Sequence, residues 1–596
     1  MQVFNDPEID RILALPTRGI PTESDKEEIA RILTEAFKVP TSTRKLKPIQ
    51  GWALAEAHTY KKLMGLMGAG AGKTDCTALL PNVFKARRTL ILVPAALRQK
   101  TLDDFGALRA NWVFPACFSA DEASTVSPGD AVIRVLSYES LSTVGYATFI
   151  EEFDPDLIIA DEAHALQSMK SGRARRVFRF IKAKRKRGHT VHYVPMTGTG
   201  WSKSLKQIYH QFDASHEEWS PIPRDYLSIE QWSMCIDRGV KESLRYGPGA
   251  LLRLCPSEPN ADLDAVRRAV RDRILLTPGV VSSKEVSCGL PLILQRRHIA
   301  VPPSVRTAMG MLRSENVLPS GDSVPAGVTF WNHTREVANG FAYYYDPPPP
   351  QPWRDAAKAW NAFVRNAIAS SRGKLDTPLQ VWNHVAAAVE LAHRAGKESG
   401  YHEFEKWRAI KDTFEPVTKP FWLSDYMVRD AEEWALSTGG VVWVQHATAH
   451  TEETDDDQIG GRFSKIPYFG GGDERIKTYK GPCAASVKAH GTGKNLQQWN
   501  EALLMGFPSS GKTIEQLLAR HHREGQKEDL VRFFFYAHSL ENLNAIETCL
   551  LDADYIEATS GAEQRIRAAH LLDADGHAFM VERYREKQDR SDPMWG

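Results

Sequence analysis

Leu157–His164 reads LIIADEAH, in which four apolar residues run straight into two acids. Such a run suits a parallel strand covered on both faces, with its charged end at the rim of a sheet. Upstream, Met67–Thr74 reads MGAGAGKT, a glycine-rich turn closed by a lysine and a hydroxyl. A turn of this kind lets successive backbone N–H groups converge on an anion, while the lysine meets the outer charges and the hydroxyl serves a metal ion. Alone, a GKT turn can be a plain glycine turn, and an acidic pair is more often a solvated strand end. In this order, with the apolar run between them, they demand an α/β sheet with its chemistry at the carboxyl ends of its strands.

The rest of the chain fits that demand. Leu63–Met67, Thr89–Val93, Val132–Leu136, Leu157–Ala160 and His192–Met196 are short, nearly all-apolar runs separated by helical or loop segments. Strand-like runs resume at Val441–Val444, Ala484–Val487, Ala502–Met505 and Val531–Phe535. Between the two sets the rhythm fades. Tyr343–Trp353 (YYYDPPPPQPW) reads as a stiff polyproline connector. Arg354–Phe414 reads as helical with breaks at Gly373 and Gly396, and Glu452–Asp457 (EETDDD) as a solvated loop.

The expected fold class is therefore α/β, with two parallel-sheet lobes and a largely helical insertion between them. The expected division is an N-terminal extension (1–45), lobe one (46–215), a mostly helical insertion or linker (216–430), lobe two (431–555) and a C-terminal tail (556–596).

A second stretch competes for phosphate. Gly506–Thr513 (GFPSSGKT) meets the strict Gly-x4-Gly-Lys-Thr spacing, which the first misses because position 67 is Met. Pro508 removes one backbone donor from it, however, and no apolar strand ending in an acidic pair follows Lys512. The nucleotide phosphates are thus assigned to Gly70, Gly72, Lys73 and Thr74, although Pro81 is expected to kink the helix that leaves the loop. In Asp161–Glu162 one carboxylate can hold Mg²⁺ and the other can orient and deprotonate an attacking water. Gln516, Arg520 and Arg523 fall at i, i+4 and i+7, which would put them on one helical face. That face is either a solvated basic stripe or a pair of arginine fingers.

Taken together, these motifs resemble the superfamily-two helicases and translocases with a DEAH box, most closely the Swi/Snf-type group, with phage-type DNA helicases a further likeness. Lys47–Gln50 (KPIQ) is similar to the segment whose glutamine reads adenine. GAGAGKT (68–74) is similar to motif I, ILVPAAL (91–97) to Ia and LSYESL (136–141) to Ib. DEAH (161–164) matches motif II, and MTGTG (196–200) motif III, with Gly200 where the group has proline. VVWVQH (441–446), HGTGKNLQ (490–497) and QLLARHHREGQ (516–526) are similar to motifs IV, V and VI.

The resemblance spans about 46–200 and 435–540. It implies RecA-like lobes with ATP hydrolysed in the cleft between them and ATP and Mg²⁺ as cofactors. Gln50 would bind adenine, Lys73 and Thr74 phosphate and Mg²⁺, and Asp161 Mg²⁺, with Glu162 as the base. Arg520 and Arg523 would act from lobe two, with Gln516 near the γ-phosphate. His164, Thr197 and Thr199 would couple the lobes, and Ser137, Tyr138, Gly491 and Thr492 would line a nucleic-acid track.

Four functions compete: a double-stranded DNA translocase, a strand-separating helicase, the motor subunit of a larger DNA-processing complex, and an ATP-gated DNA-binding scaffold. DNA is favoured over RNA as partner, and 216–430 is a candidate protein-docking region. Bulk charge selects no partner, since 75 Lys and Arg against 74 Asp and Glu leave +1. Local charge does: Lys170–Arg187 carries ten Lys or Arg and reads as a phosphate-backbone contact or a solvated helix face. Trp201 is a packed core residue or a base-stacking one, and His521–His522, pointing apart on a helix, are not read as metal ligands. The seven cysteines form no Cys-x-x-Cys pair. With no basic-then-apolar leader and no apolar stretch near the ~18 residues that cross a bilayer, a cytoplasmic location is expected, in the host cell if the protein is viral.

Overall fold

The computed structural model describes residues 6, 8–68, 70–122, 129–198, 200–238, 240, 242–258, 261–283, 288–319, 321, 328–345, 347–371, 375, 378–415, 417–445, 460–491 and 494–581. The chain forms two compact units. The first takes Met1–Glu285, Asp355–Ala409 and Tyr555–Ala562, and the second Val286–Arg354, Ile410–Asp554 and Glu563–Gly596.

The first unit is built on β1 (Met64–Leu66), β2 (Arg88–Val93), β3 (Ala116–Ser119), β4 (Val132–Ser137), β5 (Leu157–Asp161), β6 (His192–Met196) and β7 (Val280–Ser282). They form one seven-stranded sheet in the order β3-β4-β2-β5-β6-β1-β7, and every pairing is parallel. Successive residues of β2 explain the continuous apolar runs. Ile91 and Val93 join one buried cluster and Leu90 and Leu92 another, so both faces of the sheet are covered. β6 separates the glycine-loop strand β1 from the acidic strand β5, and all three end on the same rim. Gly65 is paired with Met196, and a Cβ there would lie 2.4 Å from the Met196 sulfur, so these strands require glycine.

The second unit contains β8 (Leu292–Arg297), β9 (Phe341–Tyr345), β10 (Thr418–Trp422), β11 (Val441–Val444), β12 (Tyr468–Phe469), β13 (Cys483–Ser486), β14 (Glu501–Met505), β15 (Val531–Tyr536) and β16 (His570–Leu572). Seven of them make a second all-parallel sheet, β12-β13-β11-β14-β15-β8-β16. Val441 and Trp443 face one buried cluster, Val442 and Val444 the other. Each unit is a RecA-like α/β lobe with a parallel sheet and surrounding helices.

Two expectations about the segments are corrected. Residues 216–430 are not only a helical insertion, because β7 completes the first sheet and β8 the second. The tail 556–596 supplies β16 to the second sheet, while Tyr555–Ala562 belongs to the first unit. The 1–45 segment packs on the first unit. Helix Glu23–Phe37 packs so closely on helix Pro48–Tyr60 that a Cβ at Gly51 would meet the Ala30 Cα at 2.5 Å.

The polyproline reading of Tyr343–Trp353 is also shortened. Its tyrosines form β9, paired antiparallel with β10, and its end opens helix Gln351–Ser370. Helices Gln351–Ser370, Pro378–Arg394 and His402–Ile410 occupy the stretch expected to be helical, around a cluster of Trp360, Val381, Val385 and Phe404. Gly373 and Glu452–Asp457 lie outside the described residues.

Four buried histidines give the fold a pH signature. Burial pushes the imidazoles of His210, His521 and His538 down to about 4 and that of His216 to about 3, from 6.5. The folded chain keeps them neutral while the unfolded chain protonates them. Their contribution is therefore complete above pH 6.5 and is lost as pH falls toward 4, at about 1.4 kcal/mol per histidine per pH unit. Thermal unfolding at constant ionic strength should show a melting temperature that drops across this window. A melting temperature that rises on acidification from pH 6.5 would contradict it.

Candidate nucleotide site

Two strand ends build the site in the first unit. After β1, the loop reaches helix Lys73–Phe84 through Gly70 at φ +90° and Gly72 at φ +77°, both in the left-handed region that favours glycine. At Gly72 a side chain is also excluded by contact, because a Cβ would lie 2.1 Å from Gln50 Nε2. Lys73 and Thr74 are the first residues of the helix, where free backbone N–H groups and the helix dipole favour an anion. The helix runs through Pro81 to Phe84.

The Lys73 ammonium donates to Met67 O (3.2 Å) and lies 3.4 Å from Glu162 Oε1, so the glycine loop and the acidic strand end meet at this lysine. Glu162 sits at φ +52°, a left-handed conformation uncommon for a residue with a side chain and one found at functional sites. Its backbone N–H donates to Asp161 Oδ1 (3.0 Å), and its Oε2 lies 3.2 Å from His164 Nδ1. The same His164 nitrogen is 3.4 Å from Thr197 Oγ1. Asp161, Glu162, His164 and Thr197 thus form one connected group at the ends of β5 and β6. Burial pushes the Asp161 carboxyl up to about 6 against the pull of Lys73. A carboxylate under that desolvation gains from a cation brought beside it. No cluster of three or more metal-ligating side chains occurs among the described residues.

Gln50 stands behind the loop. Its Oε1 accepts from Lys47 N (2.6 Å), and its Nε2 donates to Gly72 O (2.9 Å). The buried Asp75, next to Thr74, takes a fork from Arg44 (2.8 and 3.0 Å) and the indole N–H of Trp112 (2.8 Å). Ser137 and Tyr138 close β4 and open the next short helix. Both are buried, the serine capping the short helix Tyr138–Leu141 and the tyrosine hydroxyl donating to Asp161 O (2.7 Å). Thr199 and Thr492 lie outside the described residues.

In the second unit, helix Gly511–His521 carries Gln516 and Arg520. Arg523 is not on that helical face, because the helix ends at His521. His522 leaves helical geometry at φ −85°, ψ 81°, and its Nε2 is 2.7 Å from Leu290 O. Arg520 is buried and donates to Gln516 O (3.0 Å) and Lys494 O (2.7 Å). Gly491 is also buried, with Val487 O 2.5 Å from where its Cβ would stand. His521 is a structural acceptor for the Trp443 indole N–H (3.0 Å).

The competing GKT stretch is explained by packing. Gly511 N–H, at the start of the helix, donates to the buried Asp552 carboxylate (3.1 Å), and a Cβ on Gly511 would lie 2.6 Å from Asp552 Cβ. An internal anion already fills that helix end, and the glycine serves helix approach. Part of the basic run Lys170–Arg187 is engaged within the fold. Arg176 is buried on Leu141 O (2.8 Å), Arg185 on Val191 O and Ala214 O (both 2.8 Å), and Lys184 pairs with Asp154 at 2.5 Å. Lys170, Lys182, Lys186 and Arg187 stay exposed. Trp201 is a core residue, fully buried, with its indole N–H on Thr559 Oγ1 (2.7 Å).

Ser283, missed in the sequence, donates no motif, yet its hydroxyl accepts from Gly68 N (2.8 Å) in the glycine loop. No helix is long and apolar enough to cross a membrane among the described residues.

No curated protein matches the chain. Residues 21–199 match the family described as type III restriction enzyme, res subunit, and with that match the chain carries a superfamily-two helicase-like ATPase domain.

Proposed function

We propose that this protein is an ATP-driven motor that moves on nucleic acid, DNA rather than RNA. The observation that carries the proposal is the meeting of Lys73 with Glu162 at 3.4 Å, which joins an anion-binding loop to a water-activating carboxylate. Lys73 would hold the terminal phosphates, and Glu162 would orient the attacking water and take its proton. His164 would keep Glu162 in place and relay its state to Thr197, with Thr199 beside it. Mg²⁺, held by the Thr74 hydroxyl and Asp161, would supply charge neutralisation at the phosphates.

Gln50 supports adenine. With Nε2 engaged on Gly72 O and one lone pair of Oε1 on Lys47 N, the other Oε1 lone pair can accept from the 6-amino group of adenine, where guanine carries the O6 acceptor. Arg520 and Arg523, with Gln516, would serve the γ-phosphate in the working cycle, and Gly491 and Thr492 would grip the polymer backbone. Among subgroups, the Arg-x-x-Arg-x-Gly-Gln ending favours a Swi/Snf-type translocase. The match to a family described as a restriction-enzyme subunit favours a second reading, the motor subunit of a larger DNA-processing complex.

The test is the steady-state ATPase rate of wild type and Glu162→Gln with no polymer, duplex DNA, single-stranded DNA or RNA. Stimulation by DNA that vanishes in the variant is expected. A flat, low rate in every lane would remove the autonomous motor and leave the subunit reading.

A further inference from the structure

Ser283 stands just past the end of β7, outside every helicase-like motif, and yet two of its bonds hold the start of the glycine loop. Its backbone N–H donates to Leu66 O (3.1 Å), and its hydroxyl accepts from Gly68 N (2.8 Å). The peptide unit between Met67 and Gly68 is therefore gripped at both ends. Its N–H is taken by Ser283, and its carbonyl, Met67 O, receives the Lys73 ammonium at 3.2 Å. A peptide is planar, so fixing the direction of the N–H fixes the direction of the carbonyl. Among the described residues, the Ser283 Oγ at 3.5 Å is the one heavy atom within 4 Å of a Cβ built at Gly68. The hydroxyl thus holds the plane of this peptide from its N–H side.

We infer that Ser283 is a positioning residue for the nucleotide phosphates: by orienting the Met67–Gly68 peptide it sets where the Lys73 ammonium stands before ATP arrives. This rests on the ATP reading of the site given above. A hydroxyl rather than an apolar side chain is needed because the Gly68 N–H requires an acceptor, and a loop held in one shape binds at lower entropic cost. Ser283 is also the residue through which the loop is tied to β7, the strand after which the chain passes into its second unit at Val286.

The experiment uses the full chain with MgATP as probe and compares Ser283→Ala, Ser283→Thr and Ser283→Val with wild type and Lys73→Ala. ATP affinity is read by direct binding, and KM and kcat by steady-state hydrolysis. Thr and Val share a shape and differ by the hydroxyl, so any strain from a branched side chain at this position cancels between them. Loss of one hydrogen bond should weaken ATP binding and raise KM by about three- to tenfold in the Ala and Val variants, with kcat within about twofold. Thr should return both toward wild type. Equal affinity in Thr and Val, with Lys73→Ala still abolishing binding, overturns the role of Ser283 alone. ATP binding indifferent to Lys73→Ala overturns this inference together with the ATP reading.

Discussion

Lys73→Ala and Glu162→Gln should each lower polymer-stimulated ATP hydrolysis by about 10²- to 10⁴-fold, the range that a positioned general base supplies, while Lys512→Ala should leave it within about twofold. Both lysines follow a glycine at the start of a helix, so the contrast isolates surroundings from motif. Lys73 enters a loop with two left-handed glycines and stands 3.4 Å from Glu162. Gly511, before Lys512, gives its N–H to the Asp552 carboxylate, and an incoming phosphate would have to displace that anion from a buried position. The two active-site losses should also separate by step. Removing the lysine should cost ATP affinity, whereas Glu162→Gln keeps shape and hydrogen bonding and should cost kcat with binding retained. A Lys512→Ala variant that lost hydrolysis while Lys73→Ala kept it would reverse the assignment.

The elements legible in the sequence are those whose signal is local. Leu157–Ala160 and Val441–Val444 are apolar throughout because both faces of each strand are covered, and such runs stand out against any flanking segment. The glycine loop and the acidic pair were legible for the same reason: each chemistry needs its residue types side by side. What escaped depends on distant partners. β7 is three residues long, and its place beside β1 is set by pairing with Met64–Leu66, far away in sequence. β8 joins the second sheet through β15, equally remote. The basic run after the DEAH motif looked like a polymer contact because charge is visible in sequence and carbonyl partners are not. Arg176 bonds Leu141 O at the end of helix Tyr138–Leu141, and Arg185 bonds Val191 O just before β6 and Ala214 O in helix Tyr209–His216. Ser283 carries no signal at all, since its role is one hydroxyl facing one loop N–H across the sheet rim.

Arg523→Ala should reduce ATP hydrolysis about 10³-fold, as expected of an arginine finger, without lowering the melting temperature, whereas Arg520→Ala should lower both. The two arginines differ in what they already hold. Arg520 is buried, and its guanidinium donates to Gln516 O and Lys494 O, so truncating it removes two part-buried hydrogen bonds and should cost about 1–3 kcal/mol. Arg523 lies past the helix end; its backbone carbonyl accepts from Gln497 Nε2 (3.3 Å), while its guanidinium makes no hydrogen bond or ion pair among the described residues. Burial pulls its pKa down, and the Arg565 guanidinium adds to that pull. A cation so placed costs the folded state free energy, and an anion brought to it returns that cost, which is the condition for a charge that acts on a developing phosphate. Arg523→Lys keeps the charge without the fork and should recover part of the rate. Activity in Arg523→Ala above about a tenth of wild type would exclude the finger, and an unchanged melting temperature in Arg520→Ala would exclude the brace.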